Sequence, residues 1–120
     1  MQPQEHVSYY LNIRGVEAVY VFSDDGLLIA SAAKETWTAD HDSFVAALTQ
    51  AAIFAQELGG LVEEHAHTMT IEYKHHTVVV QELAEIGYVA LVAGSNANIG
   101  LLRVYCARLR QGLLDSFEPA

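Results

Sequence analysis

Apolar residues recur at helical spacing in three segments of the chain. Residues 3–13 can form a short helix that ends before Gly15. The segment from Asp40 to Leu58 opens with an Asp-rich cap and closes at two glycines, and the segment from Ser95 to Phe117 carries one narrow apolar stripe. The pattern therefore predicts three helices, of which the second and third are long.

Extended segments fill the chain between these helices. Runs of β-branched and aromatic residues joined by short turns predict five strands: Val16–Phe22, Leu27–Ala32, Thr68–Tyr73, Thr77–Leu83 and Tyr88–Ala93. An Asp-Gly turn joins the first two strands, so they form a hairpin. Both are apolar on both faces, which predicts a central hairpin covered by helices above and below.

The elements follow the order αββαβββα. We expect residues 1–120 to form a single α+β (α/β) domain, with a five-stranded antiparallel sheet between one long helix and two further helices. A net charge of −9 repels phosphate backbones and anionic membranes, which argues against a nucleic-acid partner. There is no apolar run long enough for membrane insertion, no visible secretory signal and a single cysteine, all of which favour a cytoplasmic location.

Candidate catalytic chemistry is sparse. Gly59-Gly60 lacks the Lys-Ser or Lys-Thr of a phosphate loop, Asp24 and Asp25 suit a tight turn, and Cys106 falls on the apolar stripe of the last helix. We therefore predict no enzyme activity, no catalytic residue and no cofactor.

Four histidines flank the third strand, and His65 and His67 share one face as two metal ligands would. Together with His75 and His76 they are weak candidates for a metal site, because the usual cysteine or carboxylate ligands are not apparent at zinc-site spacing. Solvated turn and edge residues are the simpler interpretation, so no metal is predicted.

The third strand has the features of an unprotected sheet edge. Edge strands are usually blunted by proline, lysine or inward charges, but only Glu72 is charged between Thr68 and Tyr73. The second helix has more apolar surface than one sheet needs. A homodimer would bury both features. The predicted interface comprises Thr68, Met69, Thr70, Ile71, Glu72, Tyr73 and, on the helix, Val45 and Ala52.

Three segments resemble the Roadblock family of dynein light chains and bacterial MglB-type GTPase regulators. They are Arg14–Val19 leading into Asp25–Ser31, the Ala-rich second helix, and Asn96–Arg103. The resemblance implies a Roadblock/profilin-like fold and a dimer in which the third strands and second helices of two copies join. It also implies a non-catalytic module that regulates or scaffolds a small Ras-like GTPase in signalling.

On this chain, the resemblance places partner docking on the polar half of the second helix. The residues are Asp42, Ser43, Ala46, Thr49, Gln50, Ile53, Gln56 and Glu57, with Ile53 as the apolar anchor. No arginine projects from this helix, so any activation would position groups of the GTPase itself. The alternative function is a sensory domain that binds a small ligand or metal near the histidines.

Overall fold

A computed structural model describes residues 2–117 of the protein, so residue 1 and residues 118–120 of the predicted domain lie outside the described part. The helices are α1 (Pro3–Leu11), α2 (His41–Gly60) and α3 (Ile99–Phe117). The strands are β1 (Val16–Phe22), β2 (Leu28–Ala33), β3 (Thr68–Glu72), β4 (His76–Leu83) and β5 (Gly87–Gly94). The predicted order αββαβββα is confirmed, with boundaries shifted by a few residues at most. No helix in the described part is long and apolar enough to cross a membrane.

The five strands form one antiparallel sheet in the order β2-β1-β5-β4-β3. One face packs against α1 and α3, where Leu102, Cys106 and Leu109 meet Val19 and Leu91. The other face packs against α2, whose Val45 and Leu48 meet four residues of the sheet: Tyr20, Phe22, Val78 and Val80. The predicted layers, with one long helix on one face and two helices on the other, are confirmed.

The predicted central position of the first hairpin is wrong. β1 lies inside the sheet, but β2 is an edge strand, and Leu27 and Ile29 are exposed at the turn end of the hairpin. An apolar strand pattern reports how much surface is buried but not which neighbours the strand has, because strand order depends on non-local pairing. Here β5 pairs with the other side of β1.

The N-terminal helix protects the β2 edge. The side-chain amide of Gln4 donates from Nε2 to the backbone oxygen of Ser31 at 2.7 Å, and Gln4 Oε1 accepts from the backbone N–H of Ser31 at 3.4 Å. One amide thereby satisfies both outward-facing backbone groups of Ser31, as a neighbouring strand would. This edge of the sheet is partly closed by the chain's own residues.

A polar contact beneath the start of α2 connects that helix to the sheet. The buried hydroxyl of Tyr20 lies 2.6 Å from His41 Nδ1 and accepts from the indole N–H of Trp37 at 2.8 Å. Asp40 caps the helix by accepting from the backbone N–H of Ser43 at 3.0 Å. These contacts determine where α2 enters the fold and so position the surfaces it presents.

Candidate functional site

The far edge of the sheet is formed by β3. The backbone oxygen of His67 accepts from the N–H of Glu82 at 3.0 Å, and the N–H of Tyr73 donates to the oxygen of His76 at 2.7 Å. Hydrogen bonding alternates along an antiparallel pair, so the backbone groups of residues 68, 70 and 72 point away from β4. We call this row of outward-facing groups the β3 edge. In the described residues no strand pairs with it.

The side chains of β3 follow the predicted alternation. Met69 packs into the core beneath α2, and Ile71 lines a groove on the same face, whereas Thr70 and Glu72 are exposed on the opposite face. Tyr73 was predicted within the strand but lies just after it and is exposed. The strand is therefore short and half-covered, with one polar face.

The buried sector of α2 includes two residues predicted for the dimer interface. Val45 and Ala52 are buried with Leu48 against the chain's own sheet, so they are not surface residues of the protomer. Thr49, predicted for partner docking, is 8% exposed. Its hydroxyl donates to the backbone oxygen of Val45 at 2.8 Å, and its side chain lies against Gly26 in the β1–β2 turn. The hydroxyl is satisfied within the helix, which explains how a polar residue tolerates this position.

A second sector of α2 carries the two most exposed large apolar residues of the helix. Phe54 is 63% and Leu58 is 69% exposed, and at about 100° per residue they align with Ala47 and Ala51. We call these four residues the α2 flank. Ala47 and Ala51 line a groove of about 590 Å³ between α2 and the sheet, which Ile71 and Tyr73 border on the β3 side. Exposed apolar helix surface and the β3 edge therefore adjoin.

The third sector of α2 faces solvent and contains most of the predicted docking residues. Six exposed residues of this sector make up what we call the outer face: Asp42, Ser43, Ala46, Gln50, Ile53 and Glu57. Gln56 does not belong with them, because its amide is engaged within the chain. It donates to the backbone oxygen of Ala66 at 3.0 Å and accepts from the N–H of Ala66 at 3.1 Å. Ile53, 41% exposed, is the one large apolar side chain of this face.

The four candidate histidines separate into two groups at opposite ends of β3. His76 Nε2 lies 2.9 Å from Glu17 Oε2, and His75 is exposed in the β3–β4 turn. His65 and His67 instead converge on Glu82 of β4, and one ligand atom from each of these three residues lies within 4.8 Å of the others. Glu82 was missed from the sequence. Its link to His67 depends on strand register, which the histidine spacing alone does not show.

The remaining chemical candidates occupy structural positions. Burial raises the pKa of the Cys106 thiol to about 12, so the nucleophilic thiolate is strongly disfavoured. Asp25 accepts a hydrogen bond from the Ser23 hydroxyl within the β1–β2 turn, as the turn interpretation of this segment predicts. Cys106 lies on the face of the sheet opposite to α2.

The architecture defines a class of small α+β domains with a five-stranded antiparallel sheet between one helix and two. The family model described as the Roadblock/LC7 domain matches residues 4–93, and the chain belongs to this family. The resemblance identified from the sequence is thereby confirmed. No curated protein matches the chain by sequence.

Solved structures with the same fold include three MglB proteins. Myxococcus xanthus MglB has a TM-score of 0.88 at 16% identity, covering 96% of this chain and 94% of that one. The gliding protein MglB from Thermus thermophilus has a TM-score of 0.86 at 18% identity, covering 98% and 93%. An MglB with a tetrameric arrangement has a TM-score of 0.86 at 17% identity, covering 95% and 86%. At these identities the similarity shows the shared fold.

Proposed function

We propose that the protein is a homodimeric interaction module that regulates or scaffolds a small Ras-like GTPase. Two copies pair through the β3 edge and the α2 flank, and the GTPase docks on the outer face of α2. The observation that carries the proposal is the groove in which Ala47 and Ala51 of the α2 flank face Ile71 and Tyr73 on the β3 side. The module acts in the cytoplasm by binding and not by catalysis.

The two parts of the dimer interface complement each other physically. A five-residue strand offers few backbone hydrogen bonds, and a stable interface usually buries about 1,200–2,000 Å² in total. Burying a large apolar side chain contributes about 1.5–3 kcal/mol, so Phe54 and Leu58 of both copies supply the hydrophobic part. Backbone pairing along the β3 edge then determines the orientation of the copies. The solved MglB with a tetrameric arrangement is a precedent for self-association on this fold.

The GTPase partner is suggested by the family resemblance, and the outer face has a chemistry suited to a protein partner. Asp42 and Glu57 are acidic, Ile53 is apolar, and α2 contains no lysine or arginine. This composition fits a partner surface with basic residues around an apolar pocket. Without a cationic side chain on α2, the module cannot insert an arginine finger from this helix and would act by positioning groups of the GTPase.

Two substitutions on α2 separate docking from dimerisation. Ile53→Asp places a charge on the outer face and should abolish capture of the small GTPases of the same genome while the protein stays dimeric in light scattering. Phe54→Asp places the same charge on the α2 flank and should give monomers. Each variant is the matched control of the other, because both exchange a large exposed apolar residue for aspartate on neighbouring positions of one helix.

Three outcomes would contradict the proposal. A wild-type protein of 13.1 kDa in light scattering at micromolar concentration would exclude the homodimer. Failure to bind any GTPase in either nucleotide state would exclude the proposed partner class. Unfolding of the Ile53→Asp variant, measured by circular dichroism, would place Ile53 in the core and not on a docking surface.

A further inference from the structure

His65, His67 and Glu82 form a cluster at the start of β3 that the proposed interaction surfaces do not use. His65 Nε2 lies 2.7 Å from Glu82 Oε2, and His67 Nδ1 lies 3.3 Å from Glu82 Oε1. The two imidazole rings meet edge to face with centroids 5.5 Å apart. Three side chains from two neighbouring strand segments therefore direct nitrogen and oxygen atoms toward one small volume.

The backbone that carries the two histidines is held on both sides. Ala66, between them, makes two hydrogen bonds with the amide of Gln56 on α2. The backbone oxygen of His67 accepts from the N–H of Glu82, which fixes the register of the segment against β4. The histidines stay exposed while their main chain is anchored, and such anchoring lowers the entropy lost when side chains close on a ligand.

The spacing and type of these donors match the requirements of zinc. Two ligand atoms at about 2.0–2.1 Å from a tetrahedral zinc ion are about 3.3 Å apart. The His67–Glu82 distance is 3.3 Å, and the His65–Glu82 distance of 2.7 Å is shorter and would open when zinc binds. Imidazole nitrogen with carboxylate oxygen is an ordinary zinc ligand set. The acidic chain, with Glu63 and Glu64 directly before His65, also attracts cations.

The carboxylate of Glu82 is oriented from its other side. Glu82 is 19% exposed, Arg110 Nε donates to its backbone oxygen at 2.6 Å, and Arg110 Nη2 lies 3.6 Å from Oε1. Arg110 therefore orients the carboxylate, while Oε2 lies next to His65 and Oε1 next to His67.

We propose that His65, His67 and Glu82 form a zinc-binding site, with a fourth coordination position open to water. The site belongs to each protomer and does not depend on the proposed dimer or GTPase. Because it joins the segment before β3 to β4, bound zinc links the start of the β3 edge to the interior of the sheet. Gln56 is a positioning residue of the site, acting through Ala66.

The test is a titration of purified, untagged protein with zinc chloride, followed by calorimetry and by thermal unfolding with and without a chelator. We expect one zinc ion per chain and a melting temperature that rises with zinc and falls again with the chelator. His67→Ala and Glu82→Gln should each weaken binding by about tenfold or more, as expected for loss of a ligand. Gln56→Leu, which touches no proposed ligand, should weaken it by a smaller factor.

His75→Ala is the matched control, because it removes an exposed histidine from the other end of β3 and should leave zinc binding unchanged. Equal loss in His75→Ala and His67→Ala, or full binding by Glu82→Gln, would overturn the assignment. No zinc uptake by the wild-type protein would also overturn it. His65→Ala serves as a second ligand variant if Glu82→Gln fails to fold, since His65 is exposed in the protomer.

Discussion

At the scale of single residues, two glutamines perform the same task at different places. Gln4 binds both backbone groups of Ser31, and Gln56 binds both backbone groups of Ala66. A side-chain amide has one donor group and one acceptor, so it can replace a strand neighbour at a single position. Neither role follows from local sequence. The polar character that suggested Gln56 as a docking residue in fact serves an internal contact.

Cys106 allows a residue-scale test of the core through pH. An acid whose folded-state pKa is raised contributes stability that is present below the unfolded pKa and is lost as the pH rises toward the folded value. For Cys106 this window runs from 9.0 to about 12. Between about pH 8 and about pH 10, wild-type protein should lose about 1.4 kcal/mol more unfolding free energy than Cys106→Ala.

Urea unfolding at the two pH values measures this difference. Burial also raises the pKa of Tyr10 and Tyr20, but both tyrosines are present in both proteins and cancel in the comparison. The substitution itself lowers stability at every pH through the smaller side chain. Parallel loss of stability in the two proteins would show that the thiol is not buried in its neutral form.

At the scale of elements, the two edge strands of the sheet differ in protection. β2 is partly closed by Gln4, whereas Gln56 reaches only Ala66, before β3, and within the described residues no side chain caps the outward-facing backbone groups of Thr68, Thr70 and Glu72. The sequence indicated an unguarded third strand from its lack of proline and lysine. It did not indicate that the second strand is also an edge, because strand order depends on non-local pairing. The residue that protects this edge, Gln4, lies in α1.

Thr70→Pro tests the role of the β3 edge. Proline lacks the N–H group, and the alternation along β3 places the N–H of Thr70 away from β4. The protomer should therefore keep its fold, since proline is tolerated at outward-facing edge positions, while pairing with a second copy loses a hydrogen bond and meets the proline ring. We expect sedimentation velocity to show monomers for Thr70→Pro.

Thr70→Ala is the control for this substitution, because it also removes the threonine side chain but retains the N–H. It should remain a dimer with little change in affinity. A dimeric Thr70→Pro protein with native circular dichroism would show that the copies associate through another surface, and the α2 flank alone would then have to account for the interface.

At the scale of the whole molecule, charge opposes the association that the apolar surfaces favour. Each chain has a formal charge of −9, so two copies repel one another, and exposed charges are screened by salt. The proposed contacts consist of backbone hydrogen bonds and apolar side chains, and they include few ion pairs. In the proposed dimer, hydrophobic burial would therefore have to exceed the electrostatic repulsion.

Salt should accordingly strengthen the proposed dimer. Raising sodium chloride from about 0.05 M to about 0.5 M should lower the dimer dissociation constant by about two- to fivefold, since the Debye length falls well below the size of the protomer. Sedimentation equilibrium across this range measures the effect. A dimer that weakens with salt would indicate an interface held by ion pairs, which the α2 flank and the β3 edge do not provide.

Features that depend on near neighbours could be read from the sequence alone. These features are the element order, the cap at Asp40, the turn at Gly26 and the polar face of β3, and the structure reproduces each of them. They are readable because helix and strand periods, caps and turns arise from residues a few positions apart. The family resemblance was visible at this level as well.

Which surfaces remain free depended instead on how the elements pack together. Strand order made β2 an edge of the sheet. Packing buried Val45, Thr49 and Ala52 within the protomer. Strand register brought Glu82 beside His65 and His67. A helical pattern with apolar residues around half of its circumference cannot show which of them meets the sheet. That choice depends on side chains distant in sequence, whose positions are set by non-local pairing and by the volume available between the layers.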